Sequence, residues 1–278
     1  MYWWQAIILG IVEGITEFLP VSSTGHLTIV EKLMGMSLSD QGLVAFTAVI
    51  QIGAILAAII YFRNDIWRIL RAWWAGLWTA RYRQNADYRF GWAIIIGSAP
   101  IAIVGLLFKS EIGTVLRSLW FVALALLGWS FVMWLADRYA KTTRSETSAN
   151  WKDTLVIGLV QIVSLIPGIS RSGATISAGL FRGFDRVAAI KLSFLLGIPA
   201  LLAAGILQAT TEWSNIIESV GWLNTLLATA VAFLVSYLTI AWLLKYIAHH
   251  NFSVFIWYRV GLGTLLLVLL YTGTLTST

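Results

Sequence analysis

The chain reads as long apolar runs separated by short polar segments. Six runs are long enough to cross a hydrocarbon core of ~30 Å as helices, at residues 43–62, 90–108, 119–135, 192–209, 222–244 and 254–271. Two further regions, 3–34 and 154–182, are apolar but interrupted. Each has an apolar arm, a proline, a turn rich in Ser, Thr and Gly, and a second arm. Either arm is too short to span comfortably, so each region is predicted to be a re-entrant hairpin. Irregular backbone survives at membrane depth only where protein buries it or it lines a wet cavity.

The two interrupted regions resemble each other. Shifted by 148 positions, Gly10 falls on Gly158, Glu13 on Gln161, Thr16 on Ser164, Ser22 on Ser170 and Gly25 on Gly173, while Pro20 and Pro167 miss by one. Three predicted spans follow each hairpin. That makes an odd number of crossings per unit, so the second copy must be inverted in the membrane. The expected fold is an all-α polytopic membrane protein, a single membrane domain over 1–278. Its first repeat is 1–140 with the hairpin at 3–34, and its inverted second repeat is 150–278 with the hairpin at 154–182. Broken helices in inverted repeats are the architecture of many secondary transporters, with the site near the midplane.

Composition supports the membrane assignment. Only 12% of residues are charged, about half the fraction usual in a soluble domain. Fifteen tryptophans suit the two bilayer interfaces. The absence of cysteine excludes disulfides and thiolate metal sites. The first residues, Met1 to Gln5, lack the basic start of a cleavable signal peptide and are expected to belong to the mature fold. The net charge of +6 is read as cytoplasmic loops, and no nucleic-acid partner is expected. Loops 63–89, 137–153 and 182–191, with Lys245, carry six, four, three and one Lys/Arg, fourteen of the nineteen. Lys32, Lys109 and Arg117 fall on the other side, and Arg171 and Arg259 inside membrane segments. By the positive-inside rule the first group is cytoplasmic. Both termini are then periplasmic, and the first hairpin enters a bacterial inner membrane from the periplasm.

Ionisable groups inside a membrane are costly and usually functional. Glu13 and Glu17 are four apart on one helical face, where two carboxylates repel unless a cation or an arginine lies between them. A divalent cation, Mg²⁺ or Ca²⁺, held by both with phosphate oxygens completing its shell is one solution; capping or helix pairing is the plainer one. Ser22, Ser23, Thr24 and His26 open the second arm. Ser23 and His26 are three apart, the spacing for a hydroxyl nucleophile beside an imidazole base, although many such pairs merely cap helices. Arg171, among Ser170, Ser172 and Thr175 just after a break, suits bidentate phosphate binding, or pairs with a glutamate in the resting protein. The second arms begin near Ser22 and Ser170, so two helix N-termini point toward one place. Gln51 sits in the first full span as a further polar contact for phosphate. Arg259 is expected to snorkel to the cytoplasmic interface, His249 and His250 to be solvated, and the Trp-rich segment 72–78 to be an interfacial helix.

Together, Glu13-x-x-x-Glu17 followed by Pro20-Val-Ser-Ser-Thr-Gly-His26, and Pro167-Gly-Ile-Ser-Arg-Ser-Gly-Ala-Thr175, resemble the undecaprenyl pyrophosphate phosphatase family, also called the bacitracin-resistance proteins. The resemblance covers essentially the whole chain in length and hairpin order. It implies hydrolysis of a C55 isoprenyl diphosphate to the monophosphate and inorganic phosphate, which recycles the lipid carrier of cell-wall synthesis and confers bacitracin resistance. Carried over residue by residue, it assigns function to Glu13, Glu17, Ser23, His26, Ser170, Arg171 and Thr175. Thr47 departs from it, standing where several relatives carry an acidic residue, which puts a third carboxylate in doubt. The expected partners are an isoprenyl diphosphate substrate, membrane lipids and a second copy in a homodimer. The competing class is a lipid-phosphate flippase or a secondary transporter of an anionic substrate, which needs no serine–histidine pair.

Overall fold

The computed structural model describes residues 1–108 and 118–276; Lys109 and Arg117 of the charge count lie outside them. All six predicted spans are helices, and the two interrupted regions are pairs of short ones. The first hairpin is α1 (Trp3–Thr16) and α2 (Ser23–Leu33), followed by α3 (Gln41–Tyr61), α4 (Arg63–Trp78), α5 (Ala86–Leu107) and α6 (Leu119–Tyr139). The second is α7 (Trp151–Gln161), continued by a tight turn at Ile162–Leu165, and α8 (Arg171–Phe181). After it come α9 (Arg186–Thr211), α10 (Trp213–Ser219), α11 (Trp222–Ile247) and α12 (Ser253–Tyr271). Helices α3, α5, α6, α9, α11 and α12 have the length and apolarity to cross a membrane.

Polar residues lengthen the spans beyond their apolar runs. Helix α9 starts six residues before its predicted position because Asp185 caps it, accepting from Ala188 N at 2.8 Å. Helix α6 continues to Tyr139 because Asp137 near its end is held by Arg186 at 2.7 Å. The Trp-rich segment is the last part of α4. That helix buries Ile69, Ala72 and Gly76 and leaves Trp67, Trp74 and Trp78 exposed.

Each hairpin breaks at a serine with positive φ, Ser22 at 78° and Ser170 at 76°. A residue with a β-carbon in such a sparsely populated region costs on the order of 1–3 kcal/mol. Side-chain capping offsets it: Ser22 Oγ accepts from Gly25 N at 3.3 Å, and Ser170 Oγ from Gly173 N at 3.1 Å.

The short arms pack against full spans, α1 along α11 and α7 along α5, while α3 packs on α9 and α6 on α12. Glycine permits the closest approaches. A β-carbon on Gly10 would stand 2.6 Å from Ala228 O, and one on Gly158 would collide with the backbone of Gly97. At one end of the molecule the N-terminal amine donates to Ser219 O at 3.1 Å, and Ser219 Oγ donates to Asp40 at 2.6 Å. The opposite end gathers two of the basic loops, where Arg144 and Arg182 both hold Asp153 at 2.7 Å and Lys191 holds Glu146 at 2.7 Å.

The α5–α7 contact sets a testable requirement. Gly158→Val is expected to lower the unfolding temperature in detergent, an overpacking cost of about 1–3 kcal/mol. Gly128→Ala, whose new methyl meets nothing within 4 Å, serves as the control and should not. An unchanged melting curve for the valine variant would show that the two helices do not need this approach.

Candidate active site

Four elements converge on one carboxylate. Glu17, at the C-terminal end of α1, accepts through Oε2 from Ser23 Oγ at 2.7 Å and from Gln51 Nε2 at 3.1 Å. Its Oε1 accepts from Arg171 Nη2 at 3.1 Å and Nε at 3.4 Å. The ion pair is buried, its side chains 8% and 3% exposed. Arg171 also donates through Nη1 to Ser193 O at 2.9 Å, and Gly197 lets α9 close over the guanidinium, since a β-carbon there would strike it. Charge and directional bonds at this depth are worth more than at a wet surface. Of the two readings of Arg171 open from sequence, this conformation realises the pairing with a glutamate.

Glu13, one turn earlier, is fully buried, and neither of its oxygens has a hydrogen-bond partner among the described residues. Gln161 is buried and unpartnered in the same way. A cavity of about 540 Å³ opens above the cluster. Its floor is Glu13, Glu17, Ser22, Ser23, Gln51, Ser164, Ser170 and Arg171. Its walls are apolar, with Val44 and Ala48 from α3, Ile101 and Leu106 from α5, and Ala200 and Leu207 from α9. These wall residues lie toward the start of α3 and the ends of α5 and α9, so the cavity extends away from the end where the basic loops gather.

Three expected site residues are not on the cavity. Ser23 and His26 do not meet. Positions three apart on a helix diverge by about 60°, and each side chain finds a different partner. Ser23 turns to the carboxylate of α1, whereas His26 Nδ1 lies 2.7 Å from Ser22 O and Nε2 lies 2.7 Å from the Tyr258 hydroxyl of α12. Ser172 and Thr175 sit one layer behind the floor. Ser172 Oγ donates to Leu19 O at 2.9 Å, and Thr175 Oγ1 donates to Arg171 O at 2.8 Å and bonds Ser193 Oγ at 2.6 Å. They brace the turn and the backbone that carries Arg171.

Arg259 does not snorkel. It is fully buried, donating to Pro20 O at 3.3 Å, Gly168 O at 3.0 Å, Leu126 O at 3.4 Å and Ser130 Oγ at 3.1 Å. One guanidinium thus holds both hairpin turns. In sequence the available signal is its place five residues past the start of the apolar run 254–271, more than a helical turn from the edge where a snorkelling arginine sits. Tyr258 and Ser193 carry no such mark in sequence.

The described residues contain no group of three or more His, Asp or Glu suited to a metal ion. The donor chemistry nevertheless fits a hard cation that takes oxygen ligands partly from its substrate. Glu13 presents an unpaired carboxylate, and Glu17 lies one turn away.

An arginine and two helix N-termini beneath apolar walls suit an amphiphile with an anionic head, and six helices around that site have the length and apolarity to cross a membrane. Fold and site therefore define a polytopic membrane protein that handles an anionic lipid. The family model described as bacitracin resistance protein BacA matches residues 6–265, and the chain belongs to that family. It is 57% identical over 274 residues to undecaprenyl-diphosphatase 3 of Frankia casuarinae, covering 99% of each chain. It is 53% identical to the undecaprenyl-diphosphatase of Cutibacterium acnes and 45% identical to that of Mycobacterium ulcerans, covering 100% of each chain in both cases. The resemblance carried by the two hairpins extends over the full length.

Removing Arg259 tests its role as a clasp. Arg259→Leu orphans carbonyls of both turns, at about 1–3 kcal/mol each, and is expected to cut folded yield and melting temperature. Arg259→Lys, able to reach fewer acceptors, should fall between. Wild-type yield and melting for the leucine variant would remove the assignment.

Proposed function

We propose that the protein hydrolyses undecaprenyl diphosphate to undecaprenyl phosphate and inorganic phosphate, recycling the lipid carrier of cell-wall synthesis and thereby conferring bacitracin resistance. Family membership supports the activity. The observation that carries the chemistry is Ser23 and Arg171 meeting on Glu17 at the floor of the cavity. Substrate oxygens compete with Glu17 for Arg171, which remains anchored to Ser193 O. Glu17, relieved of its ion pair, accepts the Ser23 proton as Oγ attacks the terminal phosphorus. The anhydride P–O bond breaks, undecaprenyl phosphate leaves, and water hydrolyses the phosphoserine to inorganic phosphate. Arg171 and the N-termini of α2 and α8 hold the oxygens whose charge rises, the main contribution available to phosphoryl transfer. Ser22, Ser170 and Gln51 complete the polar floor. Glu13 and Glu17 are the residues to hold Mg²⁺ or Ca²⁺, which would neutralise diphosphate charge. The tail remains in lipid against the apolar walls.

The site is proposed to face the periplasm. Support comes from the positive-inside rule, by which the basic loops would be cytoplasmic, and from the cavity extending toward the opposite end. The two halves are proposed to be inverted repeats, a reading supported by matching backbone breaks at Ser22 and Ser170 and close glycine contacts at Gly10 and Gly158.

Phosphate release from undecaprenyl diphosphate by the purified protein tests the activity. Ser23→Ala is expected to reduce kcat by about 10³-fold or more; near wild-type turnover would transfer the attack to water. Excess EDTA should abolish release and Mg²⁺ or Ca²⁺ restore it. Full activity in chelator would leave Glu13 as a proton carrier instead.

Sidedness can be read in intact cells, because the chain has no native cysteine. Cysteine at Thr24, on the cavity wall, should react with a membrane-impermeant thiol reagent, and cysteine at Ser145 should not. The reverse pattern would invert the orientation.

A further inference from the structure

The tyrosine that meets His26 has no part in the cluster on Glu17, yet it controls what the imidazole can do. Ser22 O is a carbonyl and can only accept, so the 2.7 Å contact places the ring proton of His26 on Nδ1. Neutral imidazole then presents a lone pair at Nε2, and the Tyr258 hydroxyl, 2.7 Å away, donates to it. The two rings also stack, with centroids 5.6 Å apart and planes 11° from parallel. Both ring nitrogens are committed, and neither faces Ser23.

The carbonyl that His26 grips belongs to the serine with φ 78°. Its side chain is fixed as well, accepting from Gly25 N at 3.3 Å and from Gly168 N at 3.2 Å. The next residue is Ser23, so the direction of its hydroxyl follows the backbone of Ser22. The second hairpin provides an internal comparison. Ser170 adopts the same conformation, φ 76°, and among the described residues its carbonyl accepts only the helical bond from Ala174 N at 2.9 Å, with alanine where the first hairpin has histidine. This kind of break therefore forms without an imidazole. The histidine and tyrosine are added only at the turn that aims Ser23.

We propose that Tyr258 is a positioning residue for the phosphatase reaction, holding His26 in the Nδ1–H tautomer so that the ring fixes Ser22 O and, through it, the aim of Ser23 at phosphorus. The role rests on the phosphatase reading above.

Tyr258→Phe keeps the ring stack and removes the donor. It is expected to lower kcat about tenfold, as small misalignments of a nucleophile do, with KM and the melting temperature unchanged. His26→Asn offers an amide N–H near the Nδ1 position and no Nε2. It should retain activity well above His26→Ala, and adding Tyr258→Phe to it should change nothing further. Three results would overturn the proposal: wild-type kcat in Tyr258→Phe, His26→Asn as inactive as His26→Ala, or a fall in kcat matched by a fall in melting temperature. The ¹⁵N shifts of His26 in the wild type supply a readout independent of turnover, and an Nε2–H tautomer would also overturn it. Absence of phosphate release by the wild type would sink the phosphatase reading, while the tautomer would still decide whether Tyr258 holds His26.

Discussion

A helix broken inside hydrocarbon leaves carbonyl and N–H groups that water cannot reach, each costing several kcal/mol if left alone. This protein breaks two, and several of the groups so freed are met by buried side chains. Arg259 is the central answer. Its guanidinium takes a carbonyl from each turn, Pro20 O and Gly168 O, and a third from α6. Ser22 links the turns a second time by accepting from Gly168 N. The two hairpins are joined through their irregular backbone, and the side chains of the candidate site hang from that joint.

The charges follow from the same enclosure. A lone carboxylate at this depth is expensive, and Glu17 is tolerable because Arg171, Ser23 and Gln51 surround it. Glu13 has no such company among the described residues, and under the proposed function it is the carboxylate left to meet a cation. Arg171 is held by a protein carboxylate and separately by Ser193 O, so under the proposed function it could exchange the first for substrate oxygens and keep the second.

Much of this is legible in the amino-acid sequence. Spans show in sequence because lipid demands unbroken apolar length, and the hairpins show because Pro, Ser and Gly interrupt that length in two places. Glu13, Glu17 and Arg171 stand out as charges where charge is costly. What sequence spacing could not settle was direction. Ser23 and His26 have the separation of a working pair, but the first turn of α2 splays them toward α1 and α12, and only packing decides which neighbour each meets. Thr175 and Ser172 belong to the right motif and lie one layer behind it. Arg259 lies more than a turn inside its span, and the carbonyls that hold it there belong to the two hairpin turns, which only folding brings to it.

The cavity has a consequence for how the reaction is measured. Its volume of about 540 Å³ is that of a site for a drug-sized ligand, so under the proposed function it would take a headgroup and the first few isoprene units and leave most of a C55 chain outside. Enzyme and substrate then find each other by sliding within a leaflet, and the quantity that governs their encounter is molecules per unit area. Two preparations with equal bulk molarity but unequal amounts of lipid or detergent present different surface densities. An apparent KM for such an enzyme describes the membrane it sits in as much as the protein.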